Sequence, residues 1–473
     1  MNARKTWPSR AVLDWLEHLL AERYGHAFSL QDSGGASVRL SLPGSPAAIE
    51  IDTDATTFAR ADSNLPHASW AASREGWHSV LGKPLPAPGG SRLRWPLIET
   101  TPGGYRIHYD LLGLAYWMLT RQEEVDRSDL DVHQRFPGTA SHAFRHGYLE
   151  RPVVDEWLHV LGQVIQRLWP HLPLRQHRFA IRVSHDVDRP SRYGFCSTRA
   201  ILRVMAGDLL KRRYLRSAWL APWVRLNSRL MLHPADLDNT FDWLMDTSER
   251  HGLTSAFYFI CGRTDARRDA DYEPEHPAIR ELLRRIHARG HEIGLHPSYA
   301  TYQRPQAIAA EAARLRRVCA EEGIVQDAWG GRMHYLRWEN PTTLRAWEQA
   351  GMSYDSTLGY ADRPGFRCGT CFEYPAFDPV AGRPLKLRIR PLIAMEETIL
   401  EPLYMGLGRG EEALRKFAEL RERCQAVSGC FTLLWHNSMF DTQAERTLYQ
   451  QILQGAAPCV PPARAATVRL SRA

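Results

Sequence analysis

From Phe179 to Trp435 the chain repeats one pattern, a short apolar run and then a helical stripe, and this alternation restricts its fold more than any other feature. Phe179–Val183 is the first run and ends in Ser-His-Asp-Val-Asp, and the aromatic-rich Ser255–Cys261 is the second. Ile279, Leu282, Leu283 and Ile286 then recur at i, i+3, i+4 and i+7, the spacing of one buried helical face. Gly290 closes that helix before a strand over His291–His296. The order continues with a helix over Gln306–Glu322, a short segment reaching Gly331, a helix over Thr342–Ala350, and Gly351 ahead of Met352–Leu358. A strand at Leu385–Ile389, a helix over Glu411–Val427 and a strand at Cys430–Trp435 complete it. Such an order predicts an α/β fold of parallel strands with crossover helices, either a β/α barrel or an open doubly wound sheet. Both gather functional groups at the carboxyl ends of the strands.

Residues 1–170 lack this repeat and mix short alternating segments with helical ones such as Asp110–Arg121. Asp110, Glu123, Glu124, Asp129 and Asp131 around that helix read as a solvated acidic face rather than as metal ligands. Pro170–Arg178, with two prolines and four basic or imidazole side chains, reads as a linker, and the tail from Ala456 as mobile. The chain therefore divides into an α+β region over 1–170, a catalytic-type domain over 178–455 and a tail over 456–473.

Hydrophobic residues at 44%, charged residues at 24% and 15 Trp exclude a disordered chain. A net charge of +7 admits nucleic acid, an anionic membrane surface or an acidic glycan as partner. Lys occurs only at positions 5, 83, 211, 386 and 416, so an Arg-rich composition accounts for part of that charge, and no nucleic-acid partner is expected. No apolar run approaches the ~20 residues that cross a bilayer. Met1–Arg10 leads into an amphipathic segment containing Asp14, Glu17 and Glu22, unlike a signal peptide. The eight cysteines are scattered, which suits buried reduced thiols and a cytoplasmic location. Cys368-Gly-Thr-Cys371 has no second such pair and reads as loop architecture.

Three clusters fall at predicted strand ends. In Ser184-His185-Asp186-Val187-Asp188, carboxylates at i and i+2 can face one pocket, letting one bind metal while the other acts as base. In His291–Tyr299, alternation separates His291 from His296, and His296 at the strand terminus is the better ligand. Phe431–His436 is an apolar strand that delivers one imidazole at its end. Each motif alone suits a turn, a cap or a core residue as well as a catalyst, but their coincidence at three strand ends points to one site.

Together these residues resemble the polysaccharide deacetylases, which include chitin-oligosaccharide and peptidoglycan N-deacetylases. The resemblance covers about residues 178–455 and rests on Gly290–His296, His185–Asp188 and, more weakly, Leu433–His436. It implies an irregular β/α barrel, a divalent ion, most plausibly zinc, and hydrolysis of an N-acetyl group on a sugar with release of acetate. On this resemblance Asp186 is the base, Asp188 and His296 are metal ligands, Arg332 holds the base, His436 is the general acid and Asp355 supports it. Tyr299, Tyr335 and Trp435, beside these motifs, are the expected substrate contacts. The family usually carries a second metal histidine where this chain has Ala300. His334 is the candidate for the missing ligand and His185 the runner-up. Two rival readings are a degenerate domain that only binds a glycan or partner, and an amidohydrolase acting on a non-sugar amide.

Trp117–Glu124, Arg135-Phe136 and Arg151–Asp155 resemble an uncharacterised domain that precedes some bacterial deacetylase-like proteins. Thr198–Met231 mixes Arg and Lys with Trp and Leu. This composition suits either a solvated basic insertion packed on the barrel or an interfacial helix reaching an anionic membrane and lipid-linked sugars.

Overall fold

The computed structural model describes residues 7–210 and 215–454. The expected tail over 456–473 lies outside the described residues, as do Lys211, Arg212 and Arg213.

The amino-terminal region opens with helix α1 (Arg10–Tyr24) and strands β1 (Ser29–Asp32), β2 (Ser37–Ser41) and β3 (Ala48–Asp52). A two-stranded ribbon of β4 (His67–Trp70) and β5 (Leu85–Pro88) follows, then the hairpin β6 (Ile98–Thr101) and β7 (Gly104–Ile107). Helices α2 (Leu111–Leu119), α3 (His142–Arg145) and α4 (Val153–Leu168) complete it. The five-stranded sheet has the order β1-β2-β3-β7-β6 and is antiparallel except for the β3/β7 pair. This region is the mixed α+β unit that the sequence suggests.

From Ala180 the expected alternation appears. The strands are β8 (Ala180–Val187), β9 (Ser255–Ile260), β10 (Glu292–His296), β11 (Gly330–Gly331), β12 (Tyr354–Asp355), β13 (Tyr374–Asp378), β14 (Arg383–Ile389), β15 (Ala394–Met395) and β16 (Cys430–Leu434). The helices are α5 (Thr198–Leu210), α6 (Ser217–Asn227), α7 (Phe241–Arg250), α8 (Pro277–Ala288), α9 (Pro305–Glu321), α10 (Thr342–Gln349), α11 (Glu396–Leu400), α12 (Glu411–Ala426) and α13 (Gln443–Leu453). One nine-stranded sheet runs β13-β14-β12-β11-β10-β9-β8-β16-β15, parallel throughout except for β13/β14, in a barrel-like α/β fold. Parallel strands covered by helices are buried on both faces, and every residue of β9 is accordingly buried. Ile279, Leu282, Leu283 and Ile286 line the inner face of α8 as their spacing predicts. The short β11 is squeezed between neighbours: a Cβ on Gly330 would fall 2.2 Å from the Tyr354 ring, and one on Gly331 would fall 1.8 Å from the Leu295 carbonyl oxygen.

One apolar core extends through both regions. Trp15 of α1 packs on Phe377 of β13 with ring centroids 5.4 Å apart and donates its indole N–H to the Pro375 carbonyl at 2.9 Å. The expected acidic face is corrected at three of its five residues, since Asp110, Glu123 and Glu124 are buried. Asp110 caps α2 by accepting the Gly113 N–H at 2.6 Å, while Glu124 lies between Arg121 and Arg367, whose positive charges make burial of the carboxylate tolerable. Cys368 and Cys371 are free, buried thiols in a loop. Among the described residues no helix is long and apolar enough to cross a membrane.

Candidate metal centre

The end of β8 brings Asp186 and Asp188 to the same face of the sheet, and the end of β10 brings His296 beside them. His296 Nε2 lies 3.7 Å from Asp186 Oδ2 and 3.3 Å from Asp188 Oδ1. His334, from the loop after β11, places its Nε2 3.5 Å from the same Asp188 oxygen. Asp188, His296 and His334 each offer one ligand atom, and these atoms lie within 4.8 Å of one another.

The donor set fits a divalent ion. Each imidazole uses its Nδ1–H elsewhere, His296 donating to the Arg332 carbonyl at 2.6 Å and His334 to Asp269 Oδ1 at 3.1 Å. That fixes the tautomer that leaves Nε2 as a lone-pair donor, the usual support for a metal-binding histidine. His296 Nε2 and Asp188 Oδ1 are buried and have no hydrogen-bond partner, which is costly unless a cation receives them. Burial would raise the Asp188 carboxyl, but His334 and His296 hold it well below the usual carboxylate range. Zinc suits one carboxylate and two imidazoles with a position left open.

Asp186 is held from behind. Arg332 Nη1 donates to its Oδ1 at 2.7 Å, while Nη2 donates to the Ser184 and Ser356 hydroxyls and Nε to the Ser356 carbonyl. The guanidinium thus cannot swing away, and the second carboxylate oxygen faces the cluster. Across the opening, His436 Nε2 lies 3.8 Å from Asp188 Oδ2. Its Nδ1 donates to Glu396 Oε1 at 2.5 Å.

Two expected roles are corrected. Asp355 does not support His436: four strands separate β12 from β16, and its Oδ1 instead accepts the Thr357 N–H at 2.8 Å. Burial pushes its carboxyl up to about 6. Glu396 holds the position expected for Asp355. Trp435 points away from the site because alternation turns it opposite to His436, and it is buried against Phe417, Phe440 and Tyr449. It is a core residue, not a substrate contact. His185 likewise faces away and donates Nδ1–H to the Trp435 carbonyl at 2.7 Å, so the runner-up ligand is excluded by the pleat.

Tyr335 is exposed beside the site with its ring centroid 4.8 Å from that of His334, and Tyr299 is buried next to it, their ring centroids 5.2 Å apart and the Arg268 and Arg337 guanidinium groups over the Tyr299 ring. Tyr335 and Leu336 have positive φ values of 60° and 54°, a turn that L-residues adopt only under external restraint. The restraint comes from the amino-terminal region. Arg135 donates to the Tyr335 carbonyl at 2.9 Å, Arg337 donates to the His133 carbonyl at 2.8 Å, and the His133 ring is hydrogen-bonded to the Tyr299 hydroxyl at 3.0 Å. Asp269, Glu396, His133 and Arg135 are the functional neighbours without assigned roles in the sequence reading, since no spacing rule connects them to the motifs. Only Arg135 belonged to a recognisable motif.

Residues 50–170 match a family of unknown function, DUF7033. None of the curated proteins matches the chain. Among solved structures, one named a polysaccharide deacetylase from Mycobacterium smegmatis aligns with a TM-score of 0.37 and 15% identity, over 59% of this chain and 84% of that one. The structure of Puue allantoinase aligns with a TM-score of 0.34 and 13% identity, over 59% and 83% of the two chains. A structure named a polysaccharide deacetylase from Pseudomonas aeruginosa PAO1 gives 0.34 and 16%, over 59% and 84%.

Proposed function

We propose that the protein is a metal-dependent hydrolase that removes the acetyl group from an N-acetylated sugar, with residues 178–455 carrying the chemistry and residues 1–170 bracing its rim. The observation that carries this reading is the convergence of Asp188, His296 and His334 beside an Arg-held Asp186 and a Glu-held His436. Asp188, His296 and His334 would hold a divalent ion, with zinc suited to this donor set, and when bound it would supply Lewis-acid polarisation of water and of the acyl carbonyl. Asp186, pinned by Arg332, takes the proton of the attacking water. His436 delivers a proton to the departing amine nitrogen, and Glu396 stabilises the charged imidazolium that precedes this transfer. Tyr335, exposed beside His334, offers an aromatic ring on which a pyranose face stacks, and buried Tyr299 supports it from the side.

His334 supplies the donor that Ala300 cannot, which supports turnover over a binding-only role. The motif resemblance at Gly290–His296 and His185–Asp188 supports a sugar over another amide. The test is metal analysis of the purified protein together with acetate release from N-acetylated oligosaccharides. Wild-type turnover by Asp186→Ala would sink the assignment.

A further inference from the structure

The net charge of this chain resides in one insertion. Residues 198–231 contain seven Arg and one Lys against a single acid, Asp208, a surplus equal to the +7 of the whole chain, so acids and bases balance everywhere else. A general Arg-rich composition does not produce such concentration. The lone acid is also turned inward, where it accepts the Tyr193 hydroxyl at 2.7 Å.

The insertion is a helical pair with apolar residues on both faces. Inside, Ile201 of α5 packs with Leu220, Ala221 and Val224 of α6 and with Tyr193, in a cluster separate from the main core. Outside, Trp219, Trp223 and Leu226 recur at i, i+4 and i+7 along α6 and are 63%, 54% and 63% exposed. Leu215 and Leu230 extend this stripe at either end, and Leu202 and Leu210 are exposed on α5. A solvated basic helix would turn polar residues outward; here Trp and Leu share the outward surface with Arg199, Arg203, Arg216 and Arg229. Single exposed apolar residues are ordinary, but an ordered stripe of Trp and Leu among cations matches the headgroup boundary of a bilayer, where indole and guanidinium are both favoured.

The root of this pair is fixed close to the metal centre. The chain enters it at Thr198, ten residues after Asp188, and in between buried Arg192 donates Nε–H to Asp238 at 3.1 Å while Asp236 accepts the Arg192 backbone N–H at 2.8 Å. Asn437, the residue after His436, donates to the carbonyls of Arg189 and Asp238 at 3.0 and 2.8 Å. The helices therefore project from the same edge of the sheet that carries the catalytic candidates.

We infer that the α5–α6 pair docks the protein on an anionic lipid surface, with its apolar stripe in the acyl boundary and its arginines against the headgroups. Charge selects the occupant: Asp208, the one acid of the insertion, is turned inward, and exposed Arg199, Arg203, Arg216 and Arg229 lie along the stripe, so the partner is a negatively charged surface. Taken with the proposed deacetylation, which it extends, this assigns the substrate class as glycans carried on lipid. The docking itself is independent of the chemistry.

The test is flotation of the full-length protein with vesicles of phosphatidylcholine alone or mixed with phosphatidylglycerol, at low and high salt. Flotation only with the anionic vesicles, weakened by salt, is the expected result. Trp219→Ser/Trp223→Ser/Leu226→Ser lowers partitioning by about tenfold or more, and Arg199→Glu/Arg203→Glu does the same through charge, each at wild-type melting temperature. Absence of flotation with anionic vesicles overturns the inference, as does equal flotation with neutral ones. A dimer that the triple variant dissolves, without vesicle binding, would assign the stripe to a second copy of the chain instead. None of these readouts depends on turnover, so inactivity toward glycans leaves the docking result standing.

Discussion

The Glu396 carboxylate accepts two hydrogen bonds from His436, from ring Nδ1 at 2.5 Å and from the backbone N–H at 2.8 Å. Burial opposes charge on this imidazole, but Glu396, with Glu397 and Asp188 nearby, outweighs it and holds the histidine well above its usual range. A general acid works only while protonated, so activity falls as pH rises through its pKa. Replacing Glu396 by Gln removes the charge and keeps the shape. The expected result is a kcat lower by about 10²-fold or more with KM little changed, and an alkaline limb of the pH–rate profile moved to lower pH. A limb that stays in place would separate Glu396 from the acid role of His436.

Metal content follows the three ligands and their supports. Asp188→Asn, His296→Gln and His334→Gln are each expected to abolish stoichiometric binding of a divalent ion, measured by elemental analysis. Asp269→Asn leaves the ligands intact but loosens His334, and its affinity in chelator competition falls by about 10–100-fold.

Arg332 and Asp186 form a buried pair, so the two substitutions have different consequences. Arg332→Met strands a carboxylate in the interior and destabilises the fold by roughly 3–5 kcal/mol in denaturant titration. Adding Asp186→Asn to it recovers part of that loss. Asp186→Asn alone is expected to retain metal binding and lose turnover.

A second set of histidines, in the amino-terminal region, sets an acid limit to stability. The rings of His67, His142 and His146 pack together, with centroids of 4.6 Å for His67–His146 and 4.3 Å for His142–His146. Burial first and neighbouring imidazoles second push His142 down to about 3 and His67 down to about 4. Because these folded-state values lie below the unfolded ~6.5, the stability they contribute is full above that pH and is lost as pH falls toward 4 and 3. His67 Nδ1 has no partner, and its ring stacks on Tyr148. His67→Phe therefore keeps the stacking and shows a smaller fall in melting temperature between pH 7 and 4 than wild type.

The amino-terminal region braces the site through Arg135 and the Tyr335 carbonyl. Arg135→Met frees the left-handed turn that aims His334 and is expected to weaken metal binding by about tenfold at unchanged circular dichroism. Wild-type affinity would mean that the turn is held by other contacts.

The alternating strand and helix signals of residues 179–435 are legible in the sequence because apolar periodicity is a local property that burial on a parallel sheet imposes along each element. The predicted helices end within a residue of α9, α10 and α12. Asp186, Asp188, His296 and His436 are legible for the same reason, as each ends an apolar run. Other features depend on what the fold brings together. Glu396 displaces Asp355 as partner of His436 because strand order, which no local pattern encodes, places α11 beside β16 and leaves β12 four strands away. Glu124 is buried because Arg367, more than two hundred residues later, arrives beside Arg121 to neutralise it. The sequence by itself determined the class of fold, the strand-end residues and the concentration of positive charge in one insertion. The tertiary structure decided that His334 lies beside Asp188 and His296, that Asp269 and Glu396 orient two imidazoles, and that Trp219, Trp223 and Leu226 face outward. Ligand geometry, hydrogen-bond pairing and exposure are relations between distant segments, and they exist only once the chain has folded.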